Sequence, residues 1–428
     1  VMVVNSQYGV EVGTEIFGRH AERLHKPIIF AVNQLDHDKA NFEQTIDSLK
    51  VSFGPKVTPV QYPVNAGSDF NAIIDLISMK MYHYKGESGE YEELDIPADE
   101  MDKATEMNNA LIETAAENDE SLMEKFFDQG TLSETEMHQG IRIGLLSRGL
   151  FPVFCISSKR NIGTNRLLDF IINVGPSPDK MPAEKTVDGK EVKCAVNDPA
   201  SLFVFKTAVE QHIGEINYFK VVSGKITEAM DMVNTTNDGK ERISQLFVVA
   251  GKTRNKVSEL VAGDIGATVK LKNTKTNHTL CAPGKSIDFG TMNFPNSKFR
   301  TAIKAKSESD TEKLGEYLSR AHQEDPTIII EYSKELKQII VHGQGEHHLN
   351  ILKWQLLNLY KIDVDFISPK IPYRETITKI AQADYRHKKQ SGGAGQFGEV
   401  HMVIEPHVEG APDPVKYKVN NKEINISV

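Results

Sequence analysis

The spacing of apolar and polar positions changes character several times along the chain, and each change predicts a different kind of element. Residues 1–4, 28–32 and 151–156 are short, nearly unbroken apolar runs. A predicted helix at 12–24, closed by Pro27, separates the first two runs, and another at 165–174 follows the third. Apolar strand, helix, apolar strand is the pattern of a βαβ unit in a parallel, doubly wound sheet. Pro176, Pro178 and Pro182 mark a linker at 175–187. Beyond it the period becomes two, as in 202–205, 218–222 and 245–249, with turns at Ser223-Gly224, Asp238-Gly239 and Gly263-Asp264. Many short alternating strands predict a β-barrel over 188–290.

From 297 to 370 the order is β-α-β-β-α-β, the ferredoxin-like arrangement. A strand at 299–306 precedes a helix at 311–322, whose Leu314, Tyr317, Leu318 and Ala321 share one face and whose Ser309 and Glu312 suggest a capping box. Strands at 327–332 and 338–342, a helix at 346–360 and a strand at 362–367 complete it. Pro369 and Pro372 mark a further junction, after which 373–378 and 399–405 read as strands opening a fourth α+β domain over 371–428. The expected fold class is therefore multidomain, α/β plus β, with residues 1–176 forming part of the first domain.

Between Asp36 and Ser157 lies more chain than one crossover needs. Its stretch 87–136 holds 17 acidic residues against two lysines, with Leu111, Ala115, Leu122 and Phe126 at helical spacing. This predicts an inserted helical or α+β subdomain over about 67–145. Its charge is either a solvated helix face or a docking surface for a basic protein; RNA phosphate would be repelled. The whole chain is less extreme, at 39% hydrophobic, 25% charged and formal charge −9. That balance is ordinary for a soluble protein and says nothing of local patches. Cys155, Cys194 and Cys281 are too scattered for a zinc knuckle or disulfide framework, which fits a reduced, cytoplasmic setting. No apolar run approaches the roughly 18 residues that would span a bilayer, so no membrane partner is expected.

The candidate chemistry sits where two of the apolar runs end. Asn33-Gln34-Leu35-Asp36 follows the strand at 28–32 and Ser157-Ser158-Lys159 follows that at 151–156. Ligands of doubly wound sheets bind at carboxyl ends of strands. A carboxylate at Asp36 can accept from both N1–H and the exocyclic amine of guanine, a pair that adenine lacks. Asn33 would hold the loop and the other edge of the purine, and backbone N–H groups of 157–159 would donate to O6. Alone, N-x-x-D is usually a turn; the second loop, in the right order, gives it weight. The phosphate-cradling pattern G-x-x-x-x-G-K-[ST] does not occur in the sequence. Glu346, His347 and His348 invite a metal reading, but adjacent helix positions point about 100° apart, so no metal ligands are expected. The glycines between Gly392 and Gly398 lack the lysine-serine ending of a phosphate loop and read as a turn. Arg386-His387-Lys388-Lys389 is either solvated charge or a short phosphate-contacting patch.

Taken together, these loops resemble the guanine-specificity elements of translational GTPases. The resemblance to elongation factor G then covers nearly the whole chain. It is carried by 4–11, by Ile73-Ile74-Asp75-Leu76, by Gly263-Asp264-Ile265-Gly266, and by 342–349, His-Gly-Gln-Gly-Glu-His-His-Leu. Tyr373-Arg374-Glu375-Thr376 and the run 390–398 extend it into the fourth domain. The resemblance implies a GTPase that drives tRNA and mRNA through the ribosome, a monomer bound to ribosomal RNA and stalk proteins. It implies GTP or GDP held by Asn33, Gln34, Asp36, Ser157, Ser158 and Lys159, with Mg²⁺ bound by residues preceding this chain. By that reading the chain is truncated at both ends and is itself inactive, with no catalytic residue of its own. Three departures suggest a divergent paralogue: Gln34 for lysine, and Glu215 and Ala394 at positions where arginine is common. A ribosome-binding paralogue without productive hydrolysis, or a ribosome-protection protein of the same superfamily, are the competing expectations.

Overall fold

The protein is described from a computed structural model covering residues 1–210, 214–373, 375–390, 392–393, 395–406, 417–419 and 422–424. It divides into two units, Val1–Thr291 and Met292–Val428. Residues Arg374, Ser391 and Ala394, which belong to the expected fourth-domain motifs, lie outside the described residues.

In the first unit the apolar runs become strands, because a segment covered on both faces needs no alternation. In chain order the elements are β1 (Met2–Asn5), α1 (Val12–Arg23), β2 (Phe30–Asn33), α2 (Phe42–Phe53) and β3 (Val57–Pro59). Next come β4 (Gln61–Pro63), β5 (Ala72–Asp75), β6 (Lys80–Tyr84) and β7 (Tyr91–Leu94). Helices α3 (Ala98–Ala116), α4 (Glu120–Gln129) and α5 (Glu134–Ser147) lead to β8 (Phe151–Cys155) and α6 (Thr164–Val174). β1, β2, β8 and β3 lie side by side in that order, all parallel. Helix α2 escaped the sequence reading, although Asn41 caps it by accepting from Gln44 N at 3.0 Å and Gly54 ends it at φ 86°.

The acidic insertion is not purely helical. It includes an antiparallel sheet, β4-β5-β6-β7, whose strands are three to five residues long and whose first strand, Gln61–Pro63, precedes the expected start of the insertion. Strands so short show no clear period, and β7 is exposed throughout, so its sequence reads as surface loop. The insertion shares one apolar core with the parallel sheet: Phe30, Tyr62, Ile74, Leu111 and Leu145 all belong to it. Helices α3 and α5 approach so closely that a Cβ on Gly140 would meet Ala115 O at 2.5 Å. A buried polar link joins the two parts. Gln61 donates to Asp75 Oδ2 at 2.9 Å and accepts from Cys155 N at 3.4 Å. Asp75 also accepts from Ile77 N and Ser78 N at 3.0 and 3.1 Å, so the buried carboxylate is satisfied.

After a 3₁₀ turn at Pro178–Lys180, which interrupts the expected linker, the chain enters an eight-stranded antiparallel sheet. Its centre is the long pair Ser201–Glu210 and Gly214–Ser223. Leu202, Phe219, Met232, Leu246, Leu260 and Leu280 fill the barrel interior. Glu215, the reversed charge noted above, is paired with the Lys275 ammonium and accepts from Asn217 Nδ2 at 3.3 Å.

The second unit contains the ferredoxin-like domain. Strands Ile329–Ser333, Gln338–Gly343, Phe299–Ala305 and Val364–Ile367 are adjacent in that order, all antiparallel. Helices Thr311–Glu324 and Glu346–Asn358 pack on the sheet through Leu314, Leu318, Leu349 and Leu352. The expected capping box is absent. Ser309 lies in a 3₁₀ turn and bonds the Ser307 hydroxyl at 2.7 Å, because that extra turn makes Asp310 the first-turn flank. His348 is a structural residue: its Nδ1 accepts from Gln344 N at 3.1 Å and its Nε2 donates to Asp325 at 3.0 Å. Beyond Ile367 the expected strand at 373–378 is not formed among the described residues. The first strand there is Ala381–Lys389, paired antiparallel with Gln396–Ile404. The basic patch lies on this strand, where Arg386 forms a two-pronged ion pair with Glu399 at 2.8 and 3.0 Å. Gly392 and Gly393, at φ 81° and 74°, lie in the connecting turn.

Two expected outcomes follow from this packing. Gly163 has φ 77°, and a Cβ there would collide with Cys155 O. Gly163→Ala should destabilise the first unit by about 2 kcal/mol or more and lower its thermal midpoint by roughly 5 °C. Glu136 closes a capping box with Ser133, and the Lys125 ammonium at 2.5 Å, with the Ser133 bonds, lowers its pKa from 4.5 to about 2. A depressed carboxylate stabilises above its ordinary pKa. The start of α5 should therefore lose protection against amide exchange as pH falls from 4.5 toward 2, and Glu136→Gln should abolish that dependence.

Candidate functional site

Parallel pairing places the carboxyl ends of β1, β2 and β8 on one edge, with Met2 opposite Phe30 and Phe30 opposite Val153. The loops leaving these ends are stitched together. Ser6 N donates to Asn33 O, and Ile156 N to Val32 O, both at 2.9 Å.

All six sequence-identified residues lie on this edge. Asn33 joins the two loops directly: its Oδ1 accepts from Ser158 N at 2.9 Å and from Ser158 Oγ at 2.7 Å. Its amide therefore faces the neighbouring loop, and its role here is to lock the loops in register. Leu35 is fully buried and anchors the tetrapeptide between exposed Gln34 and half-buried Asp36. His37 N donates to Gln34 O at 3.0 Å, closing the turn on which Asp36 stands. Among the described residues the Asp36 carboxylate has no hydrogen-bond partner, so all its lone pairs can accept. Gln34 has φ 64° and its side-chain oxygen accepts from Asn5 Nδ2 and Gln7 Nε2 at 3.1 and 2.9 Å.

The second loop is a small closed unit. Ser157 and Ile162 exchange two backbone bonds of 3.0 Å, and the buried Ser157 hydroxyl accepts from Arg160 N at 3.2 Å. Ser158 N is engaged by Asn33, which leaves the Lys159 N–H as the free donor of Ser157-Ser158-Lys159 among the described residues. The Lys159 side chain is exposed.

The supporting residues were missed by the sequence reading. Arg160 donates to Ser68 O and Phe70 O at 3.0 and 3.2 Å, and Gly67 N donates to Leu35 O at 2.8 Å. One short segment, 67–70, thus braces both loops. Further along, Asn161 donates to Ser88 O at 3.2 Å, and Asn165 donates to Gly89 O at 3.1 Å while accepting from Tyr84 Oη at 2.8 Å. Apart from the Tyr84 hydroxyl, these partners are backbone groups far off in sequence, which no local pattern announces. The arrangement as a whole offers an unpaired carboxylate, a backbone donor and an exposed ammonium, fixed on the carboxyl edge of a parallel sheet. That set is complementary to a purine edge bearing two donors and an acceptor.

Known proteins resemble this chain over nearly its whole length. Residues 1–177 match the elongation factor Tu GTP-binding domain family, and 199–283 match elongation factor G domain 2. Residues 294–367 and 369–427 match elongation factor G domains III and IV. Elongation factor G of Ureaplasma parvum serovar 3 is 36% identical over 412 residues, covering 95% of this chain and 60% of the relative. Elongation factor G of Ureaplasma urealyticum serovar 10 is 37% identical over 413 residues, with the same coverage of 95% and 60%. The chain thus spans about 60% of the length of these curated relatives. The crystal structure of ttk003000868 from Thermus thermophilus superposes with TM-score 0.80 at 29% identity, covering 94% of this chain and 58% of that one. In succession, then, the chain carries a GTP-binding domain like that of elongation factor Tu and domains that match 2, III and IV of elongation factor G.

Proposed function

We propose that the protein hydrolyses GTP on the ribosome and promotes the movement of tRNA and mRNA, with this chain supplying the guanine-reading half of its nucleotide site. The observation that carries the reading is the Asn33–Ser158 clasp, which holds the two loops together while the Asp36 carboxylate stays unengaged. In this role Asp36 accepts from N1–H and the amine of guanine, and the Lys159 N–H donates to O6. The Lys159 stem and the Gln34 loop border the base. GTP or GDP fits this donor and acceptor set. Mg²⁺ would sit with the phosphates, beyond the reach of the six residues named. When bound, the nucleotide supplies the scissile phosphoanhydride bond; these residues only select and orient its base.

The division that goes with this reading assigns 1–176 to the GTP-binding domain, with an insertion at about 67–145, then 188–290, 297–370 and 371–428 to the next three. The acidic insertion is assigned to a basic stalk protein of the ribosome. Glu117, Glu120 and Glu124 line a shallow groove on it with Met123 and Phe127, whose ring is 78% exposed. An apolar floor with an anionic rim suits a basic amphipathic helix and steers its approach. No helix among the described residues is long and apolar enough to cross a membrane, and the working place proposed is the cytoplasm.

Three measurements test the reading. Asp36→Asn in the full-length protein should weaken GDP roughly 10- to 100-fold, the worth of hydrogen bonds to a charged acceptor. It should strengthen xanthosine diphosphate, whose second carbonyl can accept from the new amide; an unchanged preference would sink the base-reading assignment. Ribosomes should strongly stimulate GTP hydrolysis by the full-length protein, and their failure to do so would remove the proposed activity. Glu120→Lys with Glu124→Lys should slow ribosome-stimulated turnover most at low ionic strength, and equal slowing at all salt concentrations would argue against steering.

A further inference from the structure

The Gln34 side chain does something that the base-reading role does not require. Asn5 ends β1 directly opposite Asn33, which ends β2. Asn5 Oδ1 accepts from Gln7 N at 2.8 Å, and Gly9 N donates to Asn5 O at 2.9 Å. This turn fixes which way the Asn5 amide faces: its oxygen is used locally, so its NH₂ must point outward. It points at Gln34, whose Oε1 accepts from Asn5 Nδ2 at 3.1 Å and from Gln7 Nε2 at 2.9 Å. The Gln34 backbone is held from the same side, because the buried Ser6 hydroxyl donates to Gln34 O at 2.8 Å. Ser6 is tied back in turn, its N–H to Asn33 O and its carbonyl to Asn41 N, both at 2.9 Å. Segment 5–9 and the tetrapeptide 33–36 are therefore joined through three side chains of one and the tip of the other.

We propose that Gln34 is a positioning residue for nucleotide binding: by accepting from Asn5 and Gln7 it fastens the base-reading loop to the segment leaving β1 and so slows nucleotide release. The donors and acceptors of the clasp are complementary, and this makes the residue type specific. An acceptor is needed at position 34 because Asn5 presents a donor. A lysine there would set an ammonium against the fixed Asn5 N–H donor, and an alanine would leave that donor to water. Gln34 is thus not a weakened form of a ring-covering lysine. With Asn5 and Gln7 it forms a matched set that gives up the cation and gains a tether to β1. The left-handed backbone at Gln34, φ 64°, is unfavourable for a side chain of this size, and the tether helps hold it there. The proposal rests on the base-reading assignment above.

The test measures release of a fluorescent GDP from the full-length protein, with xanthosine diphosphate as the control base. Gln34→Ala and Asn5→Ala should each speed GDP release by roughly three- to tenfold, the scale of one or two exposed hydrogen bonds. The double variant should be no faster than the faster single one, because both remove the same clasp. Gln34→Glu, which keeps the acceptor, should release more slowly than Gln34→Ala, and Gln34→Lys should resemble Gln34→Ala. Additive single effects, or unchanged release in Gln34→Ala, would overturn the clasp while leaving the base-reading assignment intact, provided Asp36→Asn still exchanges guanine for xanthine preference. If Asp36→Asn leaves that preference unaltered, the base-reading assignment fails and the clasp proposal falls with it.

Discussion

The parallel register through β2 is the constraint on which the site depends. A parallel ladder can place several strand ends on one edge only if each strand starts from the same side, which obliges the chain to return across the sheet between strands. Here Phe30–Asn33 is bonded on one side to Met2–Asn5 and on the other to Phe151–Cys155. That pairing sets Asn5, Asn33 and Ser157 at neighbouring positions although 152 residues separate the first from the last. A one-residue slip of β8 would move Phe154 from its place against Phe170 to the other face of the sheet and carry Ser158 away from Asn33.

The long insertion bears on the site through two kinds of contact. Its core merges with that of the parallel sheet, so helices α3 and α5 support β8 through shared apolar packing. Its first turn, 67–70, braces the two loops by backbone carbonyls and amides that Arg160 and Leu35 engage. A buried Gln61–Asp75 pair joins the halves where apolar contact alone would leave Cys155 N without a partner. The insertion is thus a structural part of the candidate site's edge as well as a charged surface. Apart from the buried Asp75, its acidic residues stay outward, where their mutual repulsion is screened.

Two of the three positions expected to depart from the family pattern are met by neighbours in the fold. Glu215 is met by Lys275 and Gln34 by Asn5 and Gln7; Ala394 lies outside the described residues. A substitution that looks like a loss in one dimension is, in the fold, one member of a set. Arg386 shows the reverse case: a basic run reads as an anion contact, yet a register that places it opposite Glu399 neutralises its first cation.

The sequence by itself determined the parts and their order. Apolar runs, period-two alternation and the Leu314–Ala321 helical face report burial, and burial is a local property of each side chain. Asn33, Asp36 and Ser158 were legible because they follow apolar strands directly, and strand ends are where such sheets bind ligands. The tertiary structure decided what a single segment cannot encode. Strands β4 to β7 are too short for a period, and Ser309 lost its capping role to an extra 3₁₀ turn. Arg160, Asn165 and the Asn5–Gln34 clasp act through partners tens of residues away. A hydrogen bond is specified by the meeting of two groups, and only the folded register brings those groups within three ångströms or so of each other.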